Sequence, residues 1–277
     1  MLTVLHISDI HFGPPYREDV GENLLQLAPT FRPDVIVISG DFTQRAKEEQ
    51  FQDAREYIDR LPEVPRVVVP GNHDVPLYRV AERVRDPLGL YRKYIHEELN
   101  HTVKVDGAVF VAIDSTAPLR AITNGRIDPD QLDFCENAFA DAAAETCRIV
   151  VAHHPFATAP DYAHDKKMPH LKRALERFTK LGVELILGGH LHRAYIGNSL
   201  DVAPSEGDHN ILIAQSGTST SRRGRAREKE KNTFNLITIE QDTIGIQHHM
   251  YFDDTKQFHP ISQHLFPRPG KRLGICH

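Results

Sequence analysis

Five short apolar runs punctuate the first two thirds of the chain: Leu2-Thr3-Val4-Leu5, Val35-Ile36-Val37-Ile38, Val67-Val68-Val69, Ile149-Val150-Val151-Ala152 and Leu185-Ile186-Leu187. Their length and Val/Ile content predict strands buried on both faces. Helical patterning separates them over Leu24 to Ala28, Glu48 to Leu61, Pro129 to Ala144 and Pro169 to Leu181. That alternation predicts βαβ units and a largely parallel sheet. Asp128-Pro129 suits an N-cap and first helical residue, and Leu181-Gly182 a helix end. Beyond His192 the pattern shifts to short strands, Ala194 to Ile196, Asn210 to Gln215, Asn235 to Glu240 and Gly245 to Tyr251, which read as an antiparallel second sheet. After Phe252, the residues Pro260, Pro267, Pro269 and Gly270 predict an irregular, peripheral tail over 252–277.

The segment Pro76 to His101 places Leu77, Val80, Val84, Leu88, Tyr91, Ile95 and Leu99 at roughly helical intervals. It reads either as helices packed over the core or as a cap or dimer surface beside the loop at Gly71.

Each apolar run leads into a polar segment. These are Asp9-Ile10-His11, Gly40-Asp41, Gly71-Asn72-His73-Asp74, His153-His154-Pro155 and Gly188-Gly189-His190-Leu191-His192. Residues distant in sequence are thereby gathered at one edge of a sheet, where open α/β folds bind ligands. Carboxylate, amide oxygen and imidazole together suit two divalent cations sharing a carboxylate, with Mn, Fe and Zn as the candidates.

In this order, D-x-H, G-D, G-N-H-D, H-x-P and G-H-x-H resemble the calcineurin-like metallophosphoesterases, over residues 1 to about 250. The resemblance implies an α/β fold, a four-layer α-β-β-α sandwich of two mixed sheets flanked by helices. It implies that Asp9, His11, Asp41 and His192 hold one metal and Asp41, Asn72, His153 and His190 the other, with Asp41 bridging. Each carboxylate oxygen of Asp41 would serve one cation, and a bridging hydroxide would attack phosphorus. His73 would donate a hydrogen bond to the phosphoryl oxygen or protonate the leaving group, oriented and kept protonated by Asp74. Asn72 would also touch substrate, and His154 would either face the substrate or simply pack. The purple acid phosphatase branch has a tyrosinate three positions after the bridging aspartate; here that residue is Gln44.

Length and charge narrow the substrate. The 277 residues suit one large domain, 1–277, because the polar segments run from residue 9 to residue 192. A formal charge of −5 with no large basic region argues against a stable nucleic-acid partner. A small-molecule phosphodiester or nucleotide, including a cyclic nucleotide, is the expected substrate, by similarity to bacterial cyclic-nucleotide and glycerophosphodiester phosphodiesterases. The alternatives are a UDP-2,3-diacylglucosamine-type pyrophosphatase and a noncatalytic interaction scaffold. Arg222, Arg223, Arg225, Arg227, Lys229 and Lys231 form a basic run that is either a solvated loop or, through Arg222 and Arg225, a clamp for a second phosphate. Cys135, Cys147 and Cys276 give no disulfide framework. With no leader-like or membrane-spanning segment, a cytoplasmic enzyme is expected. Homo-oligomerisation and contact with a membrane surface stay open.

Overall fold

The computed structural model describes residues 1–119, 123–157, 168–202, 210–225 and 228–269. Arg227, Gly270 and Cys276 lie outside them. In chain order the elements are β1 (Leu2–Ile7), α1 (Glu18–Leu27), β2 (Val35–Ile38), α2 (Glu48–Arg60), β3 (Arg66–Val68), α3 (Val80–Arg85), α4 (Gly89–Tyr94), β4 (His101–Val105), β5 (Ala108–Ala112), α5 (Pro129–Phe139), β6 (Cys147–Val151), α6 (Leu171–Lys180), β7 (Leu185–Gly188), β8 (Tyr195–Asn198), β9 (Leu212–Gln215), β10 (Thr233–Ile239), β11 (Thr243–Phe252) and β12 (Gln257–Pro267).

Side-chain alternation along the strands builds the layers, since successive residues face opposite sides of a sheet. In β2, Ile36 and Ile38 join an apolar cluster with α1, α2 and α4, while Val35 and Val37 join a cluster between the sheets. In β5, Val109 and Val111 pack towards α5 and α6, while Phe110 faces the inter-sheet cluster with Ile149, Leu185 and Ile237. Both faces are therefore buried, which is why these strands read as continuous apolar runs. The result is the four-layer sandwich. One sheet has the order β12-β11-β10-β1-β2-β3 and the other β4-β5-β6-β7-β9-β8. The pairs β1·β2, β2·β3, β5·β6, β6·β7 and β7·β9 are parallel, so each sheet is mixed.

Several expectations need correction. The strands beyond His192 do not form their own sheet: β8 and β9 complete the sheet of β7, whereas β10 pairs antiparallel with β1 and carries β11 and β12. The tail is peripheral but not irregular through Pro267, because β12 is an edge strand. An edge tolerates Pro260, and the register shifts opposite it, between His248 and His249. The hairpin of β4 and β5 escaped the sequence pattern, as did the first turns of α1 before Leu24. α5 stops at Phe139, short of Ala144. The segment 76–101 divides in two: Leu88, Tyr91 and Ile95 are core residues, while Leu77, Tyr78, Val80 and Val84 are exposed. No helix among the described residues is long and apolar enough to cross a membrane.

Candidate metal centre

The loops after β1, β2, β3, β6 and β7 meet at one edge of the sandwich. Asp9 N–H donates to Gly40 O at 3.0 Å, His11 N–H to Asp41 O at 3.0 Å, and Gly189 N–H to His153 O at 3.1 Å. Asp9, His11, Asp41, His190 and His192 have φ of 52°, 57°, 52°, 70° and 55°. A left-handed conformation costs an L residue roughly 1–2 kcal/mol, although Asp and His tolerate it better than most. Such strain gathered in one place marks a functional site. Gly40 makes room for the imidazole of His153, since a Cβ there would stand 2.5 Å from its Nδ1.

Two groups of inward-facing donor atoms result. In the first, His192 Nε2 lies 3.1 Å from Asp9 Oδ1 and 3.1 Å from His11 Nε2. In the second, Asn72 Oδ1 lies 2.9 Å from His190 Nδ1 and 3.3 Å from His153 Nε2. Donors about 2.1 Å from a shared cation, at right or tetrahedral angles, stand roughly 3.0–3.4 Å apart. Asp41 Oδ2 joins the groups, 3.6 Å from His11 Nε2 and 3.4 Å from His153 Nε2. Asp41 Oδ1 instead accepts the His73 backbone N–H at 2.8 Å. One oxygen thus faces both groups, correcting the expectation of one oxygen per cation.

The donor set fits divalent cations on two grounds. Asp9 Oδ1 and Asp41 Oδ2 are buried and accept no hydrogen bond of sound geometry, an arrangement that native interiors avoid unless something else binds there. Three of the donor side chains, Asp9, His153 and His192, are tethered from behind. Asp9 Oδ2 accepts from Ser8 Oγ at 2.6 Å and His190 N–H at 2.9 Å. His153 Nδ1–H donates to Ser39 O at 2.7 Å and His192 Nδ1–H to Arg223 O at 3.0 Å, leaving each Nε2 pointing inward. Electrostatics agree. Burial opposes charge on Asp9 and Asp41, yet the neighbouring imidazoles hold both carboxyls well below the usual range. Burial also opposes charge on His153, but Asp41 prevails and raises it to about 9. The carboxylates draw positive charge into the space between them.

Other expected site residues fall differently. His73 lines the cleft, and its Nδ1–H donates to Gln44 O at 2.9 Å. Burial, assisted by Arg223, lowers its pKa despite Asp41. Asp74 does not orient that ring: its carboxylate accepts the N–H groups of Gly71 at 2.9 Å, Thr43 at 2.9 Å and Phe42 at 3.2 Å. It shapes the loops of Asp41 and Asn72 rather than keeping His73 protonated. His154 is buried, with Nδ1 2.8 Å from Ser115 Oγ, and packs beside His153 and His190; it is not among the cleft-lining residues. Arg225 lines the cleft, whereas Arg222 is exposed outside it and Arg223 takes the expected place. Sequence reasoning also missed Thr123 and Asn124 on the cleft wall, although Asn124-Gly125 is a turn-forming pair.

Residues 2–194 match the calcineurin-like phosphoesterase family. The chain belongs to that family. It is 25% identical over 204 residues to the 3',5'-cyclic adenosine monophosphate phosphodiesterase CpdA of Escherichia coli K12, covering 69% of each chain. It is 33% identical over 85 residues to the glycerophosphodiester phosphodiesterase GpdQ of Enterobacter lignolyticus, covering 26% of this chain and 30% of that one. In fold it resembles the purple acid phosphatase PPD1 of yellow lupin, with a TM-score of 0.64 and 12% identity over 97% of this chain and 54% of that one. TT1561 of Thermus thermophilus gives a TM-score of 0.52 with 11% identity, over 94% and 98% of the two chains. At the position of the purple phosphatase tyrosinate, Gln44 of this calcineurin-like phosphoesterase turns its Oε1 to Arg223 Nη1 at 3.1 Å.

Proposed function

We propose that this phosphoesterase is a binuclear, divalent-metal-dependent phosphodiesterase acting on a small-molecule diester. The observation that carries the reading is the pair of buried, unbonded carboxylate oxygens, Asp9 Oδ1 and Asp41 Oδ2, each ringed by imidazole nitrogens. Asp9, His11, Asp41 and His192 would hold one ion, and Asp41, Asn72, His153 and His190 the other. Bound Mn, Fe or Zn supplies Lewis-acid charge at the phosphoryl oxygens and an activated water.

The protein does the positioning. Gln44 O fixes His73 as the Nδ1–H tautomer, leaving Nε2 as the nitrogen available to the cleft. In its neutral form Nε2 accepts a proton, and the charge of a bound phosphate favours the protonated form. His73 is then set to return that proton to the departing alkoxide. The half-buried Asn72 presents its amide oxygen to an ion without adding charge. β10 to β12 lie beyond the family match yet complete the sheet of β1, so the reading takes 1–277 as one domain. It places the enzyme in the reducing cytosol that its three cysteines fit.

The test is turnover by Mn-, Fe- and Zn-reconstituted protein on bis-p-nitrophenyl phosphate, cyclic AMP, UDP-diacylglucosamine and a phosphomonoester. Diester hydrolysis is expected, and Asp41→Asn should lose bound metal and turnover together. Protein holding two equivalents of metal but inert on every diester would overturn the reading, as would normal turnover by Asp41→Asn with both metals retained.

A further inference from the structure

Away from the cleft several arginines sit against carboxylates: Arg17 with Asp19 and Asp253, Arg60 with Glu22, Arg92 with Asp86, and the buried Arg268 with Glu184. The cleft holds a different arrangement. Arg223 and Arg225 line it beside Asp41, Asn72, His73 and His192, and among the described residues neither forms an ion pair. Arg223 is half-buried, with the like-charged Arg225 and Arg45 nearby and the carboxylates of Asp41 and Asp9 favouring its charge. Were cations to occupy those carboxylates, the guanidinium groups would call for an anion from outside.

The two arginines are also fixed to the metal centre. Arg223 O accepts from His192 Nδ1–H, and Arg225 N–H donates to His192 O at 3.2 Å, so this backbone is stitched to one histidine from both sides. Arg223 Nη1 donates to Gln44 Oε1, while Gln44 O holds His73. Held in this way, the Arg223 guanidinium loses little freedom on meeting an anion, while Arg225, exposed, is tied through its backbone.

What the cleft lacks is equally specific. Its volume is about 340 Å³, and among its described lining residues only Leu191 and Pro155 are apolar and none is Phe, Tyr or Trp. The described walls offer no Phe, Tyr or Trp ring on which to stack a base and no apolar bed for an acyl chain.

We propose that Arg223 and Arg225 form an anion subsite beside the metal centre, so that the substrate is a small hydrophilic phosphoester with a second phosphate or carboxylate near the scissile phosphate. The subsite rests on the phosphoesterase reading above. It makes Arg223 and Arg225 specificity residues, and it makes Gln44 a positioning residue for Arg223.

The test uses the Mn-loaded protein and three probes sharing one phosphonate head: methylphosphonate, phosphonoacetate and methylenediphosphonate. Affinities are measured by calorimetry and by competition with bis-p-nitrophenyl phosphate. At least one two-anion probe should bind about tenfold or more tighter than methylphosphonate, as a charge-assisted hydrogen bond provides. A gain confined to phosphonoacetate identifies carboxylate as the second group, and one confined to methylenediphosphonate identifies phosphate. Arg223→Gln and Arg225→Gln, checked for metal content and thermal midpoint, should bring the ratio to within about threefold, and Arg225→Lys should recover part of it. Three probes binding alike to the parent would overturn the subsite. So would an unchanged ratio in both Gln variants, which would assign the gain to the metals alone. A parent inert on bis-p-nitrophenyl phosphate would count against the phosphoesterase reading, while the calorimetric ratio would still judge the subsite.

Discussion

Replacing Gly40 by alanine tests how closely backbone and metal site are interlocked. Gly40 has φ +93°, and a Cβ there would lie 2.5 Å from His153 Nδ1, 2.8 Å from its Cγ and 2.9 Å from its Cβ. Gly107, in the turn between β4 and β5, has φ +81° with nothing within 4 Å of where a methyl group would stand, so it isolates the conformational cost. Gly107→Ala should therefore lose roughly 1–2 kcal/mol of stability, the cost of a left-handed L residue. Gly40→Ala bears the same cost and must also displace the His153 ring. That displacement sacrifices the 2.7 Å bond from Nδ1–H to Ser39 O, about 0.5–1.5 kcal/mol, and adds overpacking of about 1–3 kcal/mol. The expected total is roughly 2.5–6.5 kcal/mol. Urea unfolding of both variants, with metal content measured alongside, gives the comparison. Gly40→Ala should also bind less metal, whereas Gly107→Ala should bind as the parent does. Equal stability losses with full metal retention in both would refute the close-approach argument.

Further outcomes follow from the same geometry. His73→Ala should keep both metals while turnover falls roughly 10² to 10⁴-fold, as for a lost proton-transfer group; metal analysis showing an empty protein would make His73 a ligand instead. Asp74→Asn should cost on the order of 1–3 kcal/mol, because an amide NH₂ would face backbone donors, but turnover per metal-loaded molecule should persist. A large fall in that turnover would restore a catalytic role to Asp74. Burial lowers His6 from 6.5 to about 3, so the folded state keeps it neutral while the unfolded state protonates below pH 6.5. Stability should therefore fall as pH drops from about 6.5 towards 3, by about 1.4 kcal/mol per pH unit from this group, and His6→Gln should flatten that acid limb. An unchanged acid limb in His6→Gln would show that other groups govern it.

The strands bearing the polar segments were legible because burial on both faces makes them uninterrupted Val/Ile runs. The same signal was weak for β4, where Thr102 and Lys104 interrupt the apolar positions. Where β10 and β11 would pair was not legible, since local sequence specifies a strand but not its neighbour. Pro260 misled for a physical reason: proline argues against a central strand but is harmless at an edge. The inward-facing residues were legible from motif order, but the individual duties of side chains were not. Asp74 follows His73 in the chain, yet the turn at 72–74 aims its carboxylate back at three backbone N–H groups. Likewise, neighbouring Arg222 and Arg223 cannot be told apart by composition. The isolated bridge of Tyr16 with Ser221, the Arg222 N–H bond to Pro15 O and the bonds of Arg223 O and Arg225 N–H to His192 show which way the chain turns there.

The placement of the centre has a structural consequence beyond chemistry. Asp9, His11, Asp41 and Asn72 come from the sheet of β1, β2 and β3, whereas His153, His190 and His192 follow β6 and β7 of the other sheet. The separation of the two donor sets is thus set by the apolar layer between the sheets, in which Val4, Val37, Ile149 and Leu187 are all fully buried. Interiors are close-packed, so removing a methylene group there leaves a cavity between the sheets that weakens the core. Polar contacts between the sheets reinforce this spacing close to the centre: Ser39 O holds His153 Nδ1–H, and Asp9 Oδ2 accepts the His190 N–H. The left-handed backbone at Asp9, His11, Asp41, His190 and His192 adds strain that the surrounding loops must offset. A cation held from both sheets would oppose that strain and join the two halves, linking metal affinity to inter-sheet packing.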